Sequence, residues 1–207
     1  MQNDEESMQN DEESMQNDEE SSITLIMGPM FSGKTTELIN IYKQKSIEFG
    51  KSKCICLNYA LDKRYGDNKI ITHNGLSIDC INIYNINDFI VNNVDTSSFI
   101  EAKYIFINEA QFFNDLIENI LYIKNIHKKH IILCGLDLDF QCKQFGQLLD
   151  LTIYSNKVIY LHGKCNTIGC NYPSRYSHRV VQNKDQVLIG SHEYVPLCKD
   201  CYDKNNT

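Results

Sequence analysis

The chain has 207 residues, with 20 Lys and Arg against 27 Asp and Glu and a formal charge of -7, enough for one full-sized domain or a domain with a small module. Nine of those acids sit in a perfect triple repeat, MQNDEES, at 1–21; the rest of the chain is near neutral, and no stripe of Lys and Arg with interleaved aromatics argues for a nucleic-acid groove. No run approaches the ~20 apolar residues of a membrane span, and nine Cys behind an acidic start with no apolar leader pattern lead us to expect a reduced, cytoplasmic protein whose paired cysteines bind metal.

The repeat has too little apolar surface to offset the entropy of ordering it, so 1–21 is expected to be disordered. The run ITLIM, Ile23 to Met27, reads as a strand leading into a glycine loop. Thr35 to Phe49 reads as a helix with Leu38, Ile39 and Tyr42 on one face, stopped by Gly50. Strands are predicted at 53–58 and 79–84, a weak helix at 86–94, a buried strand at 104–108 and a helix at 115–129. The basic HKKH at 127–130 is expected to close that helix, where positive charge is favoured by about 0.3–1 kcal/mol. Further buried strands are predicted at 130–137 and 156–163. Continuous Ile, Leu and Val runs alternating with helices predict an α/β fold with a mostly parallel sheet covered by helices on both faces, spanning 22–162. Beyond His162 the alternation gives way to paired cysteines, tyrosines and short β segments, which predicts a small β-rich domain over 163–207. Cys54, Cys56, Cys80 and Cys134 lie in apolar runs and read as core, as does Phe113; Cys142 has no assignment.

Gly28-Pro29-Met30-Phe31-Ser32-Gly33-Lys34-Thr35 fits G-x-x-x-x-G-K-[ST], with a strand before it and a helix after it. In such a P-loop the glycines let backbone N–H groups face phosphates, Lys34 reaches the β- and γ-phosphates and Thr35 holds Mg²⁺. The strand YIFIN then delivers Glu109 to the same sheet edge, with Asn108 where an Mg-linked Asp is usual. An ATPase uses such a Glu to orient water and a kinase uses it to take a hydroxyl proton, and the residues leave both open. Cys165-x₄-Cys170 and Cys198-x₂-Cys201, 27 residues apart, suit a closed Cys₄ zinc site with a structural role.

Taken together, GPMFSGKTTEL, DKRY, NEAQFF, GLDLDFQCKQFG, RYSHR, VLIGSHEY and the paired cysteines resemble the thymidine kinase family of the cytosolic and viral type, over residues 22 to 202. The resemblance implies phosphorylation of the 5′-hydroxyl of thymidine by ATP, with deoxyuridine left open as an acceptor, in nucleotide salvage and DNA precursor synthesis. It implies Glu109 as general base, and nucleotide and Mg²⁺ contacts from Gly28 to Thr35, Asp62, Lys63, Arg64, Asn108 and Gln111. Phe112, Phe140 and Phe145 match aromatics around base and sugar. Met30, Leu136 and Ser177 match residues near the thymine methyl, and Gln186, Val187, Leu188, Ile189, Gly190 and Tyr194 match the loop that bonds the base. A zinc-stapled lasso, a homotetramer and feedback binding of thymidine triphosphate are implied as well. Asn108 stands where the family has Asp, and the first cysteine pair is two residues wider than the family's usual pair. The rival reading is a P-loop ATPase whose zinc ribbon binds nucleic acid or a protein partner.

Overall fold

The computed structural model describes residues 20–62, 68–190 and 192–206. The acidic repeat up to residue 19, and Lys63 and Arg64, therefore lie outside the described residues. Ser21, expected to belong to the repeat, donates its hydroxyl to Lys124 O at 3.2 Å, and Ser22 Oγ meets His130 Nδ1 at 2.9 Å.

In chain order, β1 (Ile23–Met27) leads to α1 (Lys34–Phe49), β2 (Cys54–Tyr59), the short strands β3 (Lys69–Ile71) and β4 (Ser77–Asp79), and β5 (Ile81–Ile83). Then come α2 (Ile86–Asn93), α3 (Ser97–Glu101), β6 (Tyr104–Ile107), α4 (Leu116–His127), β7 (His130–Gly135) and β8 (Lys157–Tyr160). Six of these strands form one sheet in the order β5-β2-β6-β7-β1-β8, and each pairing is parallel.

Alternation along the strands explains the layers. Ile23, Leu25, Ile55, Leu57, Ile105, Ile107, Ile131 and Leu133 pack on one face with Phe89 of α2, Phe99 of α3 and Leu116, Ile120 and Ile123 of α4. The intervening residues Ile26, Cys56, Phe106, Ile132 and Cys134 pack on the other face with Leu38 and Ile39 of α1. Both faces of the central strands are buried, which is why those strands read as continuous apolar runs; β8, expected to be buried as well, lies at the sheet edge with Val158 45% and Tyr160 40% exposed. Each fully buried Leu, Ile or Phe contributes about 1.5–3 kcal/mol to this arrangement. Phe113 is fully buried in the first cluster, as expected.

Several boundaries differ from expectation. The predicted strand at 79–84 is only β5; residues 69–79 form instead an antiparallel hairpin of β3 and β4. Its turn is closed by Thr72 N–H to Leu76 O at 2.8 Å, Leu76 N–H to Thr72 Oγ1 at 3.0 Å and Gly75 at φ 80°. Three-residue strands are too short for a period to show. The helix predicted as weak, α2, is held at its start by Asn85 Oδ1, which accepts from Asp88 N–H at 2.7 Å. Asp115 Oδ2 accepts from Ile86 and Asn87 N–H at 2.9 and 2.8 Å, so a distant carboxylate shares the capping.

The HKKH segment closes α4 as expected, with His127 in its last turn, but one of its lysines serves a different helix. Lys128, at φ 52°, ends α4, while Lys129 is 4% exposed and caps the neighbouring helix α3, donating to Phe99 O at 2.6 Å and Ala102 O at 2.7 Å. Burial lowers the Lys129 pKa, yet the ammonium has two carbonyl partners and the Phe99 ring at 4.5 Å.

After β8 the chain forms β9 (Gly163–Lys164) paired with β10 (Pro173–Ser174), β11 (Tyr176–Arg179) paired with β12 (Tyr194–Leu197), and α5 (Lys199–Asn205). Among the described residues no helix is long and apolar enough to cross a membrane.

Replacing Lys129 by Met removes two charge-assisted hydrogen bonds and leaves two buried carbonyls without a donor. A loss of about 2 kcal/mol is expected, read as a lower urea midpoint with an unchanged slope. A midpoint equal to that of the parent protein would mean that α3 does not depend on the lysine.

Candidate functional site

In a parallel sheet all strands end on the same edge, and here the adjacent strands β6, β7 and β1 finish around a cavity of about 370 Å³. Met30, Phe31, Gly33, Lys34 and Thr35 form one wall; Asn58, Asp62, Asn108, Glu109 and Gln111 form the floor; Phe112, Leu136, Phe140, Phe145 and Ser177 form the other wall. Gln186, Leu188, Ile189, Gly190 and Tyr194 close it from above, and residues 69–74 of the β3–β4 hairpin add a side.

The loop after β1 turns through left-handed backbone at Phe31 (φ 60°) and Gly33 (φ 89°), and Gly28 sits at φ 143° where a Cβ would overlap Leu161 O. No side chain caps α1; its hydrogen-bond ladder starts with Glu37 N–H to Gly33 O at 3.0 Å. The N–H groups of Lys34, Thr35 and Thr36 precede that first bond at the cavity wall, where the helix end favours an anion. Lys34 Nζ bonds Pro29 O at 2.7 Å, which folds the ammonium over the loop.

Glu109 follows β6 in a left-handed conformation, φ 55° and ψ 43°, which costs a non-glycine residue about 1–3 kcal/mol. Its Oε2 accepts from Gln111 Nε2 at 2.6 Å, and Gln111 Oε1 accepts from Leu136 N–H at 3.0 Å. Gln111, expected at the nucleotide, lines the cavity and uses both ends of its amide to tie Glu109 to the end of β7. Asn108, 4% exposed, donates to Asn58 Oδ1 at 2.8 Å and accepts from Cys134 Sγ at 3.0 Å and Thr35 Oγ1 at 3.5 Å. Burial, reinforced by the Glu109 carboxylate, pushes the Cys134 thiol up to about 12, so it stays protonated as that donor.

An aromatic wall stands opposite the loop. Phe112 stacks on Tyr59 at 4.9 Å and meets Phe145 edge-on at 5.4 Å. Met30 N–H donates to Ser177 Oγ at 2.9 Å, which joins the phosphate loop to β11. Above them, Arg179 is 6% exposed and its guanidinium lies 3.7 Å from the Phe140 ring centre. It donates to Asn183 O, Asp185 O and Gln186 O, and to Tyr194 OH, which in turn donates to Leu188 O at 3.0 Å. Asp139 Oδ1 accepts from Gln141 and Lys143 N–H, and its Oδ2 accepts from Gln186 Nε2 at 2.8 Å. The 183–188 segment is thus pinned by one arginine and one aspartate.

Most residues singled out in the sequence meet in this cavity, with exceptions. Gly28 and Pro29 are buried behind the loop, and Ser32 is turned toward Gly28, so they shape the loop without lining the cavity. Val187 is 48% exposed and does not line the cavity. Sequence reasoning missed Arg179, Asp139, Asn58 and Tyr59. Arg179 stands within RYSHR and Asp139 beside Phe140, but charge alone did not mark either as a buried tie.

The four cysteines also converge: the sulfurs of Cys165, Cys170, Cys198 and Cys201 all lie within 4.8 Å of one another. A tetrahedron with Zn–S bonds of ~2.3 Å has edges of about 3.8 Å, and Cys170 Sγ to Cys198 Sγ is 3.7 Å. The set therefore fits zinc, with no position left for a reacting ligand. Helix α5 starts directly after Cys198, and its Tyr202 stacks on Tyr176 at 4.7 Å and donates to Phe140 O at 2.6 Å. The cluster is linked in this way to the ring beneath Arg179.

A model of the thymidine kinase family matches residues 21–202. The thymidine kinase of Sheeppox virus is 37% identical over 184 residues, which cover 87% of this chain and 96% of the viral one. The thymidine kinase of Choristoneura fumiferana entomopoxvirus is 36% identical over 194 residues, 90% of this chain and 98% of that one. The thymidine kinase of Bacteroides thetaiotaomicron is 35% identical over 187 residues, 87% and 86% of the two chains.

Metal analysis of protein purified under reducing, chelator-free conditions should find one zinc per chain. Cys198→Ser should lose it and expose the 180–190 segment to protease, because α5 then no longer holds Phe140 under Arg179. Absence of zinc in the parent protein, or an equally protected segment in the variant, would contradict the link.

Proposed function

The chain belongs to the thymidine kinase family, and from that membership we propose that its cavity transfers the γ-phosphoryl group of ATP to the 5′-hydroxyl of thymidine. The observation that supports the assignment of roles is that Glu109 lines one cavity together with Lys34 and Thr35 of the loop and the rings of Phe112 and Phe145. A carboxylate there reaches a hydroxyl delivered from one side and a phosphate delivered from the other.

The loop N–H groups and Lys34 bind the phosphates. Thr35 Oγ1 and Asn108 Oδ1 are neutral oxygens 3.5 Å apart, a donor pair suited to a hard cation or its water shell. Mg²⁺ arriving with the nucleotide supplies charge neutralisation on the phosphates. Asp62 lines the same cavity, and Lys63 and Arg64 follow it in the chain. Glu109 takes the proton from the 5′-oxygen, a step that typically contributes about 10²–10⁴-fold.

Phe112, Phe145 and Phe140 pack the base and sugar; stacking a base on an aromatic is worth about 1–3 kcal/mol. Met30, Leu136 and Ser177 surround the thymine methyl, and the backbone of 186–190 with Tyr194 bonds the base edge. The roof pinned by Arg179 and Asp139 keeps water from competing for the phosphoryl group. We extend to this chain the family's homotetramer, feedback binding of thymidine triphosphate and a cytoplasmic role in nucleotide salvage. The rival ATPase reading predicts hydrolysis stimulated by nucleic acid, and the aromatic cavity beside Glu109 offers it no use.

A nucleoside panel with ADP release as readout tests the substrate: thymidine should drive release, deoxyuridine is the informative second acceptor, and DNA should have no effect. Glu109→Gln should keep ATP binding while turnover falls by about 10²–10⁴-fold; near-normal thymidine phosphorylation would remove Glu109 from the role of base. Lys34→Ala should lose ATP affinity with zinc content unchanged, and full retention of ATP use would move the phosphate site elsewhere.

A further inference from the structure

The edge of the cavity beneath Thr35 is built from uncharged amides, and their direction is set by the protein. Asn58, at the end of β2, is 2% exposed and Asn108, after β6, is 4% exposed. The oxygen and nitrogen of such a side chain are nearly the same size, so only the partners decide which faces where. Asn58 Nδ2 lies 3.3 Å from Tyr59 O and 3.3 Å from Asn82 Oδ1. A backbone carbonyl can only accept, so the Asn58 nitrogen belongs on that side. Its oxygen then faces Asn108, which answers with Nδ2 at 2.8 Å. This turns Asn108 Oδ1 toward two donors, Cys134 Sγ at 3.0 Å and Thr35 Oγ1 at 3.5 Å.

We infer that Asn58 is a positioning residue for phosphoryl transfer: anchored on the Tyr59 carbonyl, it orients Asn108 so that an oxygen, not an N–H, stands beside Thr35 at the metal side of the phosphate loop. The inference rests on the kinase reading only in taking Thr35 as that metal side. Asn58 and Asn108 then act as one unit. A carboxylate at position 108 would set an oxygen against Asn58 Oδ1, so restoring the family's acid by Asn108→Asp breaks the pair. With Asn58 replaced, Asn108 Nδ2 has lost its acceptor, and the amide can turn to present a donor to the cation.

The test compares Asn58→Leu, Asn108→Leu and the double variant with the parent protein. Replacing both partners by apolar groups of similar shape leaves no orphaned amide, so the double variant keeps the comparison open if a single variant folds poorly. The readout is the Mg²⁺ concentration that gives half-maximal binding of a fluorescent ADP analogue, together with kcat, the KM for thymidine and the urea midpoint. Outer partners of metal-facing groups typically change metal affinity by about 10–100-fold, and about tenfold is expected here. Asn58→Leu should raise the Mg²⁺ requirement by that factor and leave the KM for thymidine unchanged. The double variant should need no more Mg²⁺ than Asn108→Leu alone, because Asn58 acts through Asn108. An Mg²⁺ requirement equal to the parent's in Asn58→Leu, or in the double variant, overturns the inference, as do losses that multiply across the cycle. Lys34→Ala separates the two readings. Loss of analogue binding there with a silent Asn58→Leu overturns the relay alone; retained binding overturns the phosphate site and the relay with it.

Discussion

The amide of Gln111 joins the ends of two neighbouring strands, donating to the Glu109 carboxylate at 2.6 Å and accepting from Leu136 N–H at 3.0 Å. Much else is arranged to let it do so. Gln111 is 2% exposed, and a Cβ at Gly146 would overlap its backbone. A Cβ at Gly135 would crowd its Oε1 and come within 2.9 Å of Leu148. Two glycines thus clear the space that the glutamine fills. The left-handed turn at Glu109, unfavourable by itself, persists because the buried residues after it have one place to go. Where the parallel sheet decides which loops meet, Gln111 decides how the carboxylate sits among them.

A second chain of contacts runs from the cysteine cluster to the roof. Cys198 starts α5, Tyr202 of α5 holds Phe140 O, the Phe140 ring lies under Arg179, and Arg179 gathers the carbonyls of the 183–186 turn. Asp139 grips the same segment through Gln186. A cysteine cluster remote from the reacting atoms can therefore influence them by keeping the roof closed over a polar floor, where exclusion of water strengthens each electrostatic contact.

The parts that were legible in the sequence share one property: their signal is local. GPMFSGKT combines a motif with its strand and helix, YIFIN followed by Glu is a buried strand ending in an acid, and the paired cysteines announce a cluster able to hold a metal. The layered parallel sheet followed from apolar runs of sufficient length. What was not legible depends on contacts between distant positions. Asp115 capping α2, Lys129 capping α3 rather than α4, and Asn58 orienting Asn108 each span 27 residues or more in the chain. Arg179 read as one basic residue among others, although its burial makes it the tie of the roof. The β3–β4 hairpin was missed because its strands are three residues each.

The proposed chemistry requires one geometric relation: the cavity must bring the nucleoside hydroxyl to the carboxylate that Gln111 holds. A structure of the thymidine complex measures it directly. The thymine ring should lie among Phe112, Phe140 and Phe145, with the 5′-oxygen at hydrogen-bond distance, about 2.6–3.2 Å, from a Glu109 carboxylate oxygen. Thymidine bound elsewhere, or bound in this cavity with its 5′-oxygen directed away from Glu109, would contradict it.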